Sequence, residues 1–198
     1  MNLLILLLGY LFGSFPSGYL AGKIAKGIDI RSLGSGSTGA TNVLRHIGKR
    51  AAITVFLIDV FKGIISILLA KNLLPNDSLQ VAMGLSTLIG HIWPIWLNWK
   101  GGKAVATGLG IFLGISWQVG LATLGVFILM LTLFRIVSLS SITASIALPL
   151  IMFLSFDKSD ISLPFLVISL LAMTLVIWRH RENIIRLIKG KEPKIGQT

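Results

Sequence analysis

Residues 34–45 read Gly-Ser-Gly-Ser-Thr-Gly-Ala-Thr-Asn-Val-Leu-Arg, a polar, glycine-rich stretch between two long apolar runs. Glycines permit backbone conformations and close approaches that a Cβ blocks, and successive N–H groups in such a loop can converge on one anion. The hydroxyl and amide side chains add neutral hydrogen bonds, and Arg45 adds a planar charge suited to phosphate or carboxylate. The stretch predicts an anion site, with a flexible linker between membrane helices as the alternative.

The chain around this stretch has the composition of an integral membrane protein. Of its 198 residues, 54% are hydrophobic and only 13% are charged, and the mean hydropathy is +0.87. The apolar runs reach the length of about 20 residues that crosses a bilayer. We therefore expect an all-α membrane protein that forms one domain over 1–198. The apolar N-terminus lacks the basic segment of a signal peptide, which predicts a retained first span, and the absence of cysteine excludes disulfides and thiolate chemistry.

The apolar runs allow six or seven spans. Residues 104–134 form one very long helix or two short ones, with 114–118 as the only plausible turn, and residues 157–160 form a polar turn. Pro16 interrupts the first span, which neighbouring helices make tolerable. The other predicted spans are 3–24, 51–70, 79–99, 137–156 and 161–178.

Charge placement decides between the two counts. Seven spans put 15 of the basic residues on the side of the glycine-rich loop and leave only Lys71 and Lys158 on the other. The positive-inside rule then favours seven transmembrane helices, with the N-terminus outside and the C-terminus in the cytoplasm. The net charge of +11 fits cytoplasmic loops, an anionic lipid surface or anionic substrates. No soluble basic domain is present, so we expect no nucleic-acid partner.

A second polar cluster reads Lys100-Gly101-Gly102-Lys103 and opens the apolar run at 104. Two lysines around two glycines at the start of a helix predict a phosphate cradle built from backbone N–H groups, the helix dipole and ammonium groups. The spacing differs from a Walker A loop. The alternative is an ordinary positively charged end of a span.

A third cluster follows the last span. Read as a helix, residues 179–192 place Arg179, His180, Asn183 and Arg186 on one side by three- and four-residue spacing. An interfacial amphipathic tail is the alternative. Of the three histidines, His180 is the best candidate for handling a proton, whereas His46 suits the surface and His91 suits a bond between helices.

Two charged residues lie inside the second span. Asp59 and Lys62 are one turn apart and form either a mutual ion pair or a functional site. Charged residues within broken spans would also suit a small anion transporter, but every polar cluster lies on one side and no internal repeat is visible. Histidines and carboxylates never occur at metal-ligand spacing, so we expect no metal.

Together these motifs resemble the bacterial acyl-phosphate:glycerol-3-phosphate acyltransferase family. Its first motif, Gly-Ser-Gly-Asn-x-Gly-Ala-Thr-Asn-x-x-Arg, is matched over 34–45 except at Ser37. Its second, Gly-His-x-x-Pro followed by Lys-Gly-Gly-Lys-Gly-Val-Ala-Thr, is matched except at Ala104. Its third, Arg-His-x-x-Asn-Ile-x-Arg-Leu-x-x-Gly-x-Glu, is matched at every fixed position from Arg179 to Glu192.

The resemblance implies a seven-span, cofactor-free enzyme of the bacterial cytoplasmic (inner) membrane with its site at the cytoplasmic face. Such an enzyme transfers a fatty acyl group from acyl phosphate to the 1-hydroxyl of glycerol 3-phosphate, giving lysophosphatidic acid and phosphate in the first acylation of phospholipid synthesis. Its partners would be glycerol 3-phosphate, long-chain acyl phosphate and membrane lipids. It would be linked functionally to the enzyme that forms acyl phosphate and to the next acyltransferase.

The resemblance and the loop chemistry together nominate the site residues. The catalytic candidates are Ser35, Arg45, Lys103, His180 and Asn183. The candidates for binding substrate phosphate are Gly36, Gly39, Thr41, Asn42, Lys62, Lys100, Gly101 and Gly102, and the resemblance gives Glu192 a structural role. Because an acyl phosphate is already an activated anhydride, we expect direct attack by the hydroxyl, helped by positioning and charge stabilisation. Its proton would go to His180 or to a substrate phosphate.

Overall fold

The computed structural model describes residues 2–155 and 162–196, and over these ranges the chain is helical and contains no strand. The predicted polar turn at 157–160 lies outside the described residues. The α-helices are α1 (Asn2–Ser14), α2 (Ser17–Lys26), α3 (Ala40–His46), α4 (Lys49–Leu73), α5 (Asp77–Ile92), α6 (Val105–Ile115), α7 (Trp117–Phe134), α8 (Val137–Leu154), α9 (Leu163–Arg179) and α10 (Arg181–Ile188). Short 3₁₀ helices occur at Ile30–Ser32 and Ile95–Leu97.

Two helix breaks lie where the sequence predicts them. Pro16 separates α1 from α2, because proline lacks an N–H and its ring clashes with the preceding turn of a helix. The long apolar run divides at Ser116, whose hydroxyl accepts a hydrogen bond from the N–H of Val119 in the first turn of α7. The run is therefore two helices, and the predicted turn at 114–118 is confirmed.

One predicted span is too long. The sequence suggests helix over 79–99, but α5 ends at Ile92. Trp93 takes φ −125° and ψ 68°, because the residue before a proline is driven out of the helical region. Pro94 then leads into a 3₁₀ turn, which brings Lys100–Lys103 back beneath the end of α5.

Length and composition support a multi-pass membrane protein. Within the described ranges, Leu3–Lys26, α4, α7 and α8 are long and apolar enough to cross a membrane, and α9 with α10, bent by 61°, would be a fifth. α5 and α6 have 16 and 11 residues. At 1.5 Å per residue they are about 24 and about 17 Å long, shorter than the hydrocarbon core of about 30 Å.

Glycines allow the closest helix contacts. A Cβ on Gly110 of α6 would lie 2.0 Å from the carbonyl oxygen of Val60 in α4, and one on Gly13 of α1 would lie 2.0 Å from the carbonyl oxygen of Thr87 in α5. Small residues let membrane helices approach in this way. The main apolar core is built around Ile67, Leu88, Ile111, Phe112, Met152 and Ile168.

Candidate active site

All three sequence clusters meet at one polar cavity of about 130 Å³. The first cluster contributes the loop 34–45, the second contributes Lys103, and the third contributes His180, Asn183 and Glu192. The rest of the wall comes from the first residues of α6 and α8, from Phe56 and Asp59 of α4, from His91 of α5 and from Phe127 of α7. Fold topology thus brings together residues that lie far apart in the chain.

Asn42 is the residue that shapes the glycine-rich loop. It is buried, and its amide nitrogen donates to the carbonyl oxygens of Ile30, Leu33 and Ser37 at 2.9–3.0 Å. Its side-chain oxygen accepts from the N–H of Ser35 at 3.3 Å. These bonds occupy the amide, so the structure supports a loop-holding role rather than the direct phosphate contact that the sequence predicts.

The remaining loop residues divide into those at the cavity and those away from it. Ser35, Gly39, Thr41 and Arg45 line it, and among the described residues the hydroxyl of Ser35 makes no hydrogen bond. Gly36 is exposed and outside the wall, with φ +65°, a conformation that favours glycine. Gly36 therefore contributes to the turn. Ser35 and Arg45 line the cavity, and their side chains make no hydrogen bond within the described part of the chain.

The glycines of the second cluster have partners inside the protein. Gly101 N–H donates to the carbonyl of Ile92 at 3.1 Å, and Gly102 N–H donates to the carbonyl of His91 at 3.0 Å. These N–H groups are thus unavailable to a phosphate, which corrects the predicted glycine cradle. Lys100 is exposed and does not line the cavity. The phosphate contact predicted for it is therefore also not supported. Lys103 is the residue of this cluster that reaches the site.

Lys103 begins a chain of hydrogen bonds across the third cluster. Its ammonium donates to Asn183 Oδ1, and Asn183 Nδ2 donates to Glu192 Oε1 at 2.6 Å. Burial lowers the pKa of Lys103 to about 8, against the opposing attraction of Glu192. Lys103 is therefore a partly desolvated cation, whose pull on an anion is stronger than that of a solvated lysine.

Glu192 ties the tail to the cavity wall. Its carboxylate accepts from Ser138 at 2.8 Å, from Asn183, and from Arg186 Nε at 2.6 Å. Burial raises its pKa, but these three hydrogen bonds and the charge of Arg186 outweigh burial, and the net pKa is lowered. Glu192 therefore stays ionised and orients Asn183 toward Lys103.

His180 lies near Lys103, and its Nε2 makes no hydrogen bond to any residue that the structure describes. The residue is 3% exposed, and its Nδ1 lies 2.8 Å from the carbonyl oxygen of Val176. A carbonyl only accepts, so Nδ1 carries the proton and Nε2 is a lone-pair acceptor. Burial, with the charge of Lys103, lowers the pKa of His180 to about 4. The ring is neutral at pH 7 and serves better as a hydrogen-bond acceptor than as a strong base.

Lys62 does not line the polar cavity. It is buried, and its ammonium lies 2.8 Å from Asp59 Oδ1 and 2.8 Å from His91 Nδ1. The mutual ion pair suggested by the sequence is confirmed, as is a bond from His91 to a neighbouring helix. The direct phosphate contact predicted for Lys62 is not supported, because its partners surround the ammonium.

An apolar cavity of about 80 Å³ adjoins the polar one. The two share Phe56, Ala104, Val105, Ala106, Phe127 and Ser141 as lining residues. The apolar cavity continues between α6, α7, α8 and α9 toward Phe112, Leu148 and Ala172. A molecule with a charged head and an apolar tail fits this pair of compartments.

Comparison with known proteins identifies the family. The sequence model of the family described as Glycerol-3-phosphate acyltransferase matches residues 3–190. The chain belongs to the glycerol-3-phosphate acyltransferase family. This confirms the resemblance that the three motifs carry.

Relatives and solved structures of the glycerol-3-phosphate acyltransferase family cover the whole chain. The glycerol-3-phosphate acyltransferase of Prochlorococcus marinus (strain NATL2A) is 86% identical over 197 residues, which is 100% of each chain. That of Parasynechococcus marenigrum (strain WH8102) is 61% identical over 98% of this chain and 90% of its own. The crystal structure of PlsY (YgiH), an integral membrane glycerol 3-phosphate acyltransferase, in its glycerol 3-phosphate form matches with a TM-score of 0.89. It is 36% identical, over 98% of this chain and 96% of that chain.

Several residues of the cavity wall are not among the site residues that the sequence predicts. Ser138 and Ser141 in the first turns of α8 line it, and with Ser145 they form a polar stripe at three- and four-residue spacing on an otherwise apolar helix. That stripe was the available signal. The sequence does not distinguish Phe56 and Phe127 as cavity residues, because phenylalanine is common in membrane helices.

Gly102→Ala tests the shape of the second cluster. A Cβ at this position would lie 2.0 Å from His91 Nε2, so we expect the ring or the loop to shift and acyltransferase activity to fall about tenfold or more, since small misplacements near a reacting centre are costly. Gly125→Ala in α7, where no atom lies within 4 Å of the new Cβ, is the matched control. Steady-state rates of the two variants in lipid check this; equal rates would contradict the packing argument.

Proposed function

We propose that this protein transfers a fatty acyl group from acyl phosphate to the 1-hydroxyl of glycerol 3-phosphate, giving lysophosphatidic acid and inorganic phosphate. One observation carries the proposal: a polar cavity that contains Arg45 and Lys103 adjoins an apolar cavity and shares six lining residues with it. Family membership supports the acyltransferase class, and the solved relatives are named as glycerol 3-phosphate and lysophosphatidic acid forms. The acyl phosphate donor is inferred from the cavity chemistry and the sequence motifs.

The cavity offers several groups to phosphate. Arg45 and Lys103 supply cations, and the first residues of α6 place the positive end of an 11-residue helix at the wall. The hydroxyls of Ser35 and Thr41 add neutral donors. We propose that these groups hold the phosphate of glycerol 3-phosphate and that of the donor, with the acyl chain extending into the apolar compartment.

The reaction balances without an external base. The glycerol hydroxyl oxygen attacks the carbonyl carbon of the acyl phosphate, the bond from that carbon to the phosphate oxygen breaks, and the hydroxyl proton ends on the released phosphate. His180 Nε2 accepts a hydrogen bond from the hydroxyl and aims it, and Lys103 and Arg45 stabilise charge on the leaving phosphate. The lowered pKa of His180, about 4, favours transfer of the proton to the substrate phosphate over transfer to the imidazole.

Ser35 acts in this scheme as a ligand rather than as a nucleophile. A serine nucleophile needs an adjacent general base, and Ser35 Oγ has no hydrogen bond to a histidine, lysine or carboxylate within the described part of the chain. We therefore propose a single transfer step without an acyl-enzyme.

We also propose that residues 1–198 form one domain with seven spans in the bacterial inner membrane, N-terminus outside and the cavity facing the cytoplasm. The product would then be available to the next acyltransferase on the same side, and the acyl-phosphate-forming enzyme would supply the donor there. The α1–α2 pair, α4, α5, α6, α7, α8 and α9 are the apolar segments. The positive-inside rule supports this orientation.

Topology can be tested with single cysteines, because the natural chain has none. We expect Lys100→Cys to react with an impermeant thiol reagent only from the cytoplasmic side and Pro75→Cys only from the outside. Both positions are exposed loop residues. Labelling of intact cells and of inverted membrane vesicles measures this, and labelling of both positions from one side would contradict seven spans in this orientation.

We expect Ala172→Leu to change the preference of the enzyme for acyl-chain length. Ala172 lines the apolar cavity and lies eight residues before His180, about 12 Å along α9. We expect kcat/KM of the variant to fall about tenfold for long acyl phosphates and to change little for short ones. The leucine side chain would fill the part of the apolar cavity that only a long acyl chain reaches. Thr174→Leu, an exposed position on the same helix, is the control; an equal loss for all chain lengths would contradict the tail placement.

A comparison of donors tests the reaction. Purified protein in lipid vesicles receives glycerol 3-phosphate with palmitoyl phosphate or with palmitoyl-CoA, and lysophosphatidic acid is measured by mass spectrometry. We expect product from acyl phosphate and none from the thioester, because Arg45 and Lys103 are proposed to stabilise charge on a leaving phosphate, which the thioester lacks. Efficient use of the thioester alone would overturn the proposed donor.

A further inference from the structure

His91 borders the polar cavity, but the reaction as described gives it no part. It is a buried residue near the end of α5, 7% exposed, and it lies in the cavity wall. Its Nδ1 is 2.8 Å from the ammonium of Lys62. The ammonium also lies 2.8 Å from Asp59 Oδ1, and Asp59 accepts from Ser17 Oγ at 2.7 Å. A buried ion pair therefore lies beside the ring, and its acidic member, Asp59, also lines the cavity.

The contacts of Lys62 fix the tautomer of His91. An ammonium has three donors and no acceptor, and the ammonium of Lys62 lies within hydrogen-bond distance of both Asp59 Oδ1 and His91 Nδ1. Lys62 must donate to His91 Nδ1, which is then an unprotonated acceptor. The ring proton therefore resides on Nε2, since the hydrogen bond at one ring nitrogen determines the state of the other.

The protonated nitrogen points at the loop that carries Lys103. A Cβ on Gly102 would lie 2.0 Å from His91 Nε2 and 2.7 Å from its Cε1, so glycine at this position leaves room for the edge of the ring. Within the described ranges, Nε2 donates to no protein atom. The cavity wall thus contains an oriented N–H donor beside Gly102, which makes no hydrogen bond within the described ranges.

We propose that His91 Nε2–H is a further ligand for substrate phosphate, and that Lys62 and Asp59 are positioning residues that hold the ring in this tautomer. The inference rests on the proposed function and adds to it. Lys62 then contributes to phosphate binding through His91 instead of touching the anion. Phosphate is the group shared by glycerol 3-phosphate and acyl phosphate, and the KM of each substrate tells which of the two His91 contacts.

Two substitutions separate donation by Nε2 from support of Lys62. The amide nitrogen of glutamine in His91→Gln reaches the region of Nε2 and keeps a donor there, whereas His91→Asn reaches only the region of Nδ1. We expect His91→Asn to raise the KM for one phosphate substrate about tenfold or more, as for a lost hydrogen bond to a charged group, and His91→Gln to raise it less than about threefold. Equal effects on KM, or none, would overturn the proposal. A wild-type protein without acyltransferase activity would instead contradict the proposed function.

Nitrogen NMR provides a test that does not depend on turnover. The chain has three histidines, so ¹⁵N-histidine labelling gives a simple spectrum in which His91 is identified by its loss in His91→Gln. We expect Nε2 protonated and Nδ1 unprotonated at pH 7, a shift of the Nε2 signal on addition of glycerol 3-phosphate or inorganic phosphate, and loss of the tautomer preference in Lys62→Met. A proton on Nδ1, or an Nε2 signal that neither phosphate moves, would overturn the inference.

Discussion

Replacing Lys103 by methionine is expected to lower kcat/KM for glycerol 3-phosphate by about 10²–10³-fold, because a donor aimed at developing charge is worth about that much. Methionine matches the length of the apolar stem of lysine and lacks the ammonium. That ammonium donates to Asn183, and Lys103 lines the polar cavity. Lys100→Met is the matched control. It is three residues away, exposed and outside the cavity, and we expect a change of less than about threefold. Steady-state kinetics in lipid vesicles measure both variants, and similar losses would contradict the assignment of Lys103.

The pH dependence of the same enzyme provides a second check on Lys103. Its pKa, lowered by burial to about 8, means that the free enzyme loses this charge as the pH rises through about 8. We expect kcat/KM to fall above that pH, since kcat/KM reports the titration of free enzyme. Lys103→Arg should move the alkaline limb beyond about pH 10, because a guanidinium does not deprotonate there. If the alkaline limb of the pH profile were unchanged in Lys103→Arg, the titrating group would be a residue other than Lys103.

Replacing Glu192 by alanine is expected to cost about 2–3 kcal/mol of unfolding free energy, the range for losing hydrogen bonds to a charged group. The carboxylate side chain is 1% exposed and accepts from Arg186 at 2.6 Å, and its removal leaves Asn183 and Ser138 without their partner. Because the folded-state pKa of Glu192 is lowered, its contribution is complete above its ordinary pKa and is lost as the pH falls through the folded value.

Glu182→Ala is the control for Glu192. Glu182 lies on the exposed side of the same short helix that carries Asn183 and Arg186, where charge removal is worth about 0.5 kcal/mol or less. Chemical unfolding in detergent, followed by tryptophan fluorescence, measures both variants. Equal midpoints for the two would show that the tail is not held by Glu192.

The sequence was sufficient to predict an all-helical membrane protein and to indicate which polar clusters the fold brings to one cavity. Long apolar runs require helices, because lipid cannot satisfy an open backbone, and Pro16 and Ser116 showed two of the breaks. The motif residues Ser35, Lys103 and His180 were brought to one cavity as expected. Residue chemistry and spacing suffice for these predictions, because each depends only on neighbours within a turn or two of the chain.

The sequence could not show which polar group is already occupied. Asn42 and Gly102 look like phosphate donors in a motif, but their N–H groups bond to carbonyls of residues that the fold brings close. Lys62 has its partner His91 on another helix, 29 positions away. The end of α5 at Ile92 was also missed, because hydropathy continues through the tryptophans that flank Pro94. The misses at Asn42, Gly102 and Lys62 depend on contacts that residue spacing does not encode, whereas Pro94 was a local signal for the end of α5.

The most direct test of direct acyl transfer is the stoichiometry of phosphate release. Purified protein in lipid is given palmitoyl phosphate with and without glycerol 3-phosphate, and phosphate and lysophosphatidic acid are both quantified from the first turnover. The proposed single-step transfer predicts phosphate only when glycerol 3-phosphate is present, in a ratio of about 1:1 to product. A burst of phosphate equal to the enzyme concentration in the absence of glycerol 3-phosphate would reveal an acyl-enzyme and contradict direct attack.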